Sequence, residues 1–263
     1  MTEAAHSFDD SAGYERFIGR WGRAAGAIFL EWVAPPADAV WLDVGCGTGL
    51  FTELVVETCA PRKMFAVDPA QAQIAFAGRK PVARRATFGI GDAQALPFRN
   101  ATFDIVASAL VINFIPDRAS ALREMRRVAR PGAAVAGYVW DFARELSPSG
   151  PFRLALRRMV ADLPQLPGTH DSGLDALDAL FRRAGFDAIA TRSIDVMVEF
   201  PDFEAFWTAQ TPSYSPTTRI IAAMSQDDRL RLVETVRAAL PSGPDGRITY
   251  PARANAVKAR APG

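Results

Sequence analysis

Ligands for a metal and partners for a disulfide are scarce in this chain. Its 263 residues hold two cysteines, Cys46 and Cys59, and two histidines, His6 and His170. Two cysteines cannot staple a small fold, and nothing here has the spacing of a zinc site, so no metal is expected. Lysine is rare too, occurring only at Lys63, Lys80 and Lys258; the positive charge is otherwise arginine, and the net charge is +1. So even a balance lacks the broad basic surface of a non-specific nucleic-acid binder, and no nucleic-acid partner is expected. No run approaches the ~18 continuous apolar residues of a membrane span. The opening MTEAAHSFDDSAG has no basic stretch followed by an apolar one, which argues against a secretory leader and for a cytoplasmic location. Internal repeats and low-complexity linkers are missing as well. The expectation is a flexible tail over 1–13 and one domain over 14–263, working as a monomer or homodimer.

What is present is an alternation of short β-rich runs with helical patterns. AVWLDV reads as a first strand and is followed by a helix with Phe51, Leu54, Val55 and Thr58 on one face. KMFAVD is a second strand, and PAQAQIAFAGRK a helix with Pro69 suited to its first turn. ATFGIGD and FDIVASAL are the next strands, the latter apolar on both faces as a central parallel strand is. A helix marked by Leu122, Met125 and Val128 stops at Pro131-Gly132 before the strand AAVAGYVW. This pitch means βαβ units and a parallel sheet.

After Trp140 the pattern loosens. A short helix is expected at about 152–162, and an amphipathic one from Leu174 to Ala184 with Gly185 as its C-cap. ATRSIDVMVEF is a strand. Ser225 and Asp228 form a capping box ahead of a helix. RITYPARANAVKARA is a last strand, interrupted or bent near Pro251. The fold class is therefore α/β and Rossmann-like, a seven-stranded, mostly parallel sheet with its last strand antiparallel and helices on both faces. Segment 14–39 caps the sheet, 40–140 is the ligand-binding core, and 141–172 and 201–245 are insertions on the substrate side.

The chemistry concentrates at two places. VGCGTG puts glycines at 45, 47 and 49, where a sharp turn and close approach of a ligand to backbone N–H groups both demand the absence of a Cβ. The spacing differs from the dinucleotide fingerprint, and Asp43 before the turn would repel a pyrophosphate but suit an ammonium group. Asp68, ending the second strand, can accept hydrogen bonds from both hydroxyls of a ribose. Asp68-Pro69 also suits a plain helix N-cap.

VWLDVGCGTGLFT, AVDPAQAQIAFA, GDAQALPF and FDIVASALVINFIPD, in this order, resemble the class I S-adenosylmethionine-dependent methyltransferases. The resemblance is to the methyltransferase domain type 11 group that includes ubiquinone and menaquinone C-methyltransferases. It covers about residues 14–140 strongly. It implies S-adenosylmethionine as cofactor, with S-adenosylhomocysteine as product, and in-line methyl transfer to a small molecule. Backbone at Gly45, Cys46 and Gly47 would line the methionine portion, with Asp43 near its amino end. Asp68 would hold the ribose, Pro69 would pack on the adenine, and Asp92 and Ala93 would meet the adenine edge. Ala109 and Val111 would lie beside the transferred methyl. Tyr14 and Arg20 would reach the cofactor carboxylate, for which an arginine fork is well shaped. Trp140, Phe206 and Trp207 suggest an apolar or aromatic substrate, although core packing explains them equally well. No catalytic base is identified; His170 is a candidate in a loop that more simply reads as solvated. The rival readings are a nicotinamide-dependent oxidoreductase and a non-catalytic protein that binds the same cofactor to regulate something else.

Overall fold

The structure, a computed structural model, describes residues 11–160, 162–212 and 215–263, with side chains given outside 11–18 and 216. The expected flexible tail, 1–13, falls mostly outside them. Seven strands form one sheet: β1 (Val40–Val44), β2 (Lys63–Asp68), β3 (Thr87–Ile90), β4 (Phe103–Ala109), β5 (Ala129–Trp140), β6 (Asp187–Phe200) and β7 (Ile248–Arg260). Their order is β3-β2-β1-β4-β5-β7-β6, with β7 antiparallel to both neighbours. The helices are α1 (Ser11–Val33), α2 (Leu50–Thr58), α3 (Gln71–Ala77), α4 (Arg118–Val128), α5 (Gly150–Met159) and α6 (Leu174–Arg183). Between β6 and β7 come α7 (Phe203–Gln210), α8 (Pro216–Ala222) and α9 (Gln226–Ala239).

Alternation along the central strands divides the core in two. Trp41, Ile105, Ala136 and Tyr138 point to one face, against Ala25 and Phe29 of α1 and Leu54 and Val55 of α2. Leu42, Val44, Val106 and Val135 point to the other, against Leu122 and Met125 of α4 and Leu177 and Phe181 of α6. Strands buried on both sides need continuous apolar sequence, and all five residues of β1 are buried. Helix α1 lies close to the sheet through its small residues: the Tyr138 hydroxyl donates to the Gly22 carbonyl at 3.2 Å. A Cβ on Gly26 would come 2.8 Å from Leu54 Cδ2. Trp21, Ala25, Phe29 and Leu30 of α1 are all buried.

Three local expectations change. Pro69 precedes α3 rather than sitting in its first turn, because Ala70 is the N-cap. Strand β5 begins at Ala129, and Pro131-Gly132 is accommodated where the β4 pairing shifts register, with Gly132 at φ 74°. Strand β7 runs straight through Pro251. The Arg253 N–H donates to Leu146 O, away from β6. Pro251, two residues earlier, has its nitrogen on that same side, where β5 has already ended, so no ladder bond is lost.

Glycine at 137 is demanded by packing: a Cβ there would sit 2.6 Å from Ile112 Cδ1 and 2.8 Å from the Ser108 carbonyl oxygen. Gly137→Ala is expected to destabilise the protein by about 1–3 kcal/mol through overpacking. A urea melt should show a lower midpoint with an unchanged slope. An unchanged midpoint would mean that Ile112 and β4 move aside freely.

Candidate active site

The strand order reverses at β1, which has β2 on one side and β4 on the other. Open α/β sheets bind ligands in the crevice outside the carboxyl ends of the strands at such a point. The turn after β1 lies there. Its three glycines all take left-handed backbone, with φ of 77° at Gly45, 52° at Gly47 and 82° at Gly49. The N–H groups of Gly45 and Cys46 both donate to Val67 O of β2, at 2.8 and 3.0 Å.

Asp68 fastens this turn to the next element. Its Oδ2 accepts the Gly47 N–H at 2.9 Å and its Oδ1 the Ala70 N–H at 2.8 Å. The sequence left Asp68 between a ligand acceptor and a helix cap. The structure shows a short Asx turn onto Ala70 together with a brace across to the glycine turn. Each carboxylate oxygen retains acceptor capacity. Burial pushes the Asp68 carboxyl up, partly offset by the Ala70 and Gly47 hydrogen bonds.

Asp43 is fully buried beside the turn. Its Oδ2 accepts the Thr52 hydroxyl at 2.6 Å, while Oδ1 has no partner. Burial raises its carboxyl to about 7, opposed by the Thr52 hydrogen bond and reinforced by the charge of Asp68. Thr48 Oγ1, in the turn, and Ser108 Oγ, on β4, are also buried without a partner. Three unsatisfied oxygens at the carboxyl ends of β1 and β4 and in the turn between strand and helix fit a place where a polar group is received. Burial drives the Cys46 thiol well above its usual range, as do Asp43 and Asp68.

The two ends of the turn differ. A Cβ at Gly47 would meet nothing within 4 Å, so the chain is open there. At Gly45 it would lie 2.4 Å from Val111 Cγ1. Val111 thus packs directly onto the turn, from a segment whose Leu110 has φ 61°, an uncommon conformation for a branched side chain. Ala109 pairs with Tyr138 at the end of β4. Across the β2–β3 ladder Asp68 faces Ile90, which is 58% exposed, beside the exposed Pro69. Asp92 is exposed and closes its own turn, accepting the Gln94 N–H at 2.8 Å, while Ala93 is buried. Arg20 is exposed on α1, one residue from Gly19, whose Cβ position lies 3.5 Å from Leu50 Cδ1 at the start of α2. The Tyr14 side chain lies outside the described residues.

The proposed substrate residues divide. Phe206 is fully buried among Phe200, Phe203 and Tyr250, and a side chain without exposed surface cannot line an open pocket. Trp140 is likewise core, at 4% exposure. Trp207 is half-buried between Phe152 and Phe203. The sequence reading did not find Ile90 or Asn113. Asn113 is buried; its Nδ2 donates to Pro167 O at 3.2 Å, and its carbonyl accepts from Arg118, which pairs with Asp171. These bonds hold the loop bearing the exposed His170 against the exit of β4. No sequence motif marks that contact.

Asp43 generates a pH dependence of defined sign. Between about pH 4 and 7 the folded protein keeps the Asp43 proton that the unfolded chain has lost, so this group's contribution to stability falls as pH rises and is flat above. The raised carboxyl corresponds to a loss on the order of 4 kcal/mol across that window. Comparing denaturant stability of the ligand-free protein with that of Asp43→Asn, the difference should favour the variant increasingly from about pH 4.5 to 7.5. A pH-independent difference would show that Asp43 is ionised throughout.

Comparison with known proteins agrees with this geometry. Residues 42–137 match the methyltransferase domain family. A demethylmenaquinone methyltransferase of Roseiflexus castenholzii is 37% identical over 116 residues, which are 44% of this chain and 47% of that protein. A malonyl-[acyl-carrier protein] O-methyltransferase of Serratia marcescens is 31% identical over 135 residues, 51% of this chain and 49% of that protein. The matched part thus spans about half the length of these relatives. In fold, the chain is similar to Haemonchus contortus phosphoethanolamine N-methyltransferase 2, solved in complex with S-adenosyl-L-methionine. The TM-score is 0.62 and the identity 20%, covering 99% of this chain and 59% of that one. Glycine turn, acid-braced second strand and strand order coincide with that match: residues 42–137 are similar to the methyltransferase domain family, on a sheet with the Rossmann-like class I methyltransferase fold.

Proposed function

We propose that this protein transfers a methyl group from S-adenosylmethionine to a small-molecule acceptor by in-line displacement. The observation that carries the reading is the Asp68 carboxylate, braced against the Gly47 N–H at the strand-order switch with acceptor capacity remaining. On this reading Asp68 takes the ribose hydroxyls, and backbone at Gly45, Cys46 and Gly47 lines the methionine portion. Pro69 and the exposed Ile90 flank the adenine, with Asp92 and Ala93 at its edge. Ala109 and Val111 border the methyl group, and Arg20 and Tyr14 reach from α1 toward the carboxylate. The cofactor supplies a methyl group already activated by its sulfonium. The chain's own task is orientation, and alignment alone can remove on the order of 7–11 kcal/mol from a barrier. No residue is assigned as a base. The names of the two sequence relatives, a quinone-precursor enzyme and a carrier-bound acyl enzyme, support a metabolite as acceptor, and the net charge of +1 supports one other than nucleic acid.

Calorimetry with S-adenosylhomocysteine and with NAD tests the cofactor. The protein should bind the former, and binding of NAD alone would overturn the reading. Asp68 gives the sharper test. Hydrogen bonds to a charged acceptor are worth roughly 1.5–3 kcal/mol, so Asp68→Ala should weaken S-adenosylhomocysteine about tenfold or more. Asp68→Asn turns an amide N–H toward a backbone N–H of Gly47 or Ala70, so it should lower both affinity and melting temperature. A ribose-dideoxy analogue separates the two roles. It should bind the wild type about tenfold more weakly than the parent, and the difference should shrink in Asp68→Asn. An equal difference in both proteins would leave Asp68 a brace only.

A further inference from the structure

Helix α5 presents one face, Pro151, Leu154, Ala155 and Arg158, to a cavity of about 280 Å³ closed on its other side by Tyr250 and Pro251 of β7. These positions repeat at helical spacing, so the cavity runs along α5 for about 12 Å, at 1.5 Å per residue. Its wall along the helix is largely apolar. Leu154 is 47% exposed, and Met197, paired across the ladder with Pro251, is 54% exposed. The Tyr250 hydroxyl is already committed to Pro148 O. None of these residues belongs to the glycine turn, the β2–α3 junction or the segment after β4, to which the cofactor is assigned.

Its two charged lining residues are unequally engaged. Glu145, the carboxylate at the cavity, is engaged by Arg157 at 2.9 Å and by the buried Arg153 at 3.8 Å. Arg158, exposed and on the cavity wall, has no ion pair or hydrogen bond among the described residues. Glu145 is thus taken by Arg157 and Arg153, and Arg158 is left without an acid partner among the described residues. An elongated apolar wall ending at an uncommitted arginine is complementary to a molecule with an apolar body and an anionic head.

We propose that this cavity is a second ligand site, which binds a small amphipathic carboxylate of about ten heavy atoms with its head at Arg158 and its chain along Leu154. Octanoate is the probe and octanol its uncharged control, each titrated into the full chain and followed by ligand-observed NMR. Octanoate should bind at least about fivefold more tightly than octanol. Arg158→Gln should remove that preference while octanol binding stays the same. Leu154→Glu, at an exposed position that leaves the core intact, should abolish octanoate binding with an unchanged melting temperature. Octanoate no tighter than octanol, or octanoate binding untouched by both substitutions, would overturn the proposal. Neither result bears on S-adenosylhomocysteine binding, which is measured separately on the same proteins.

Discussion

At the carboxyl end of β2 a single carboxylate joins three pieces of chain. Asp68 closes β2, accepts from Ala70 at the start of α3, and reaches across to the Gly47 N–H of the turn that leaves β1. That turn has left-handed glycines at three alternate positions, a conformation in which local backbone preference fixes very little. Its position is imposed from outside, by Val67 O on two N–H groups and by Asp68 on a third. The crevice at the strand-order switch has its shape because β2 holds the turn after β1. The parallel register of β1 and β2, with Val44 opposite Val67, is what puts donor and acceptor within reach.

The same arrangement explains why the site is costly for the fold. Asp43 and Asp68 lie close enough for the charge of one to raise the carboxyl of the other, and burial raises both. Thr52 and the backbone N–H groups offset only part of this. A protein tolerates such a cluster when the rest of its core is tightly packed, and here the strands on both sides of the turn are buried on both faces. The unsatisfied oxygens at Asp43, Thr48 and Ser108 are the residue of this compromise. They are located where a ligand's polar groups would relieve them.

How much of this the sequence disclosed follows from the range of the interactions concerned. The strands, the glycine turn and Asp68 were legible because each is signalled by neighbours along the chain: alternation, turn residues and an acid at a strand end. The Ser225–Asp228 cap was legible for the same reason. The burial of Asp43 was not, because α2 covers it only after folding. Nor was Val111 on Gly45, which depends on β4 lying beside β1. Pro251 misled because a proline in a strand signals an interruption, whereas the deciding fact is where β5 stops. Phe206 misled in the opposite way: an aromatic cluster in an insertion reads equally as lid or core, and only exposure separates them.

That last ambiguity has a physical basis. Helices α7 to α9 link the two antiparallel strands and must bury an apolar face of their own, since β6 is the sheet's edge and α1 covers only part of it. Phe200, Phe203, Phe206 and Tyr250 form that secondary core, with edge-on and tilted ring contacts between 5.1 and 6.3 Å. Once these rings are used for packing, they leave no record of the acceptor. What the folded insertions leave at the exit of β4 is the loop that Asn113 and Arg118 pin there. These rings share one continuous core with Trp21 of α1 and Leu54 of α2, so the insertions are packed onto the same face of the sheet as the helix that follows the glycine turn.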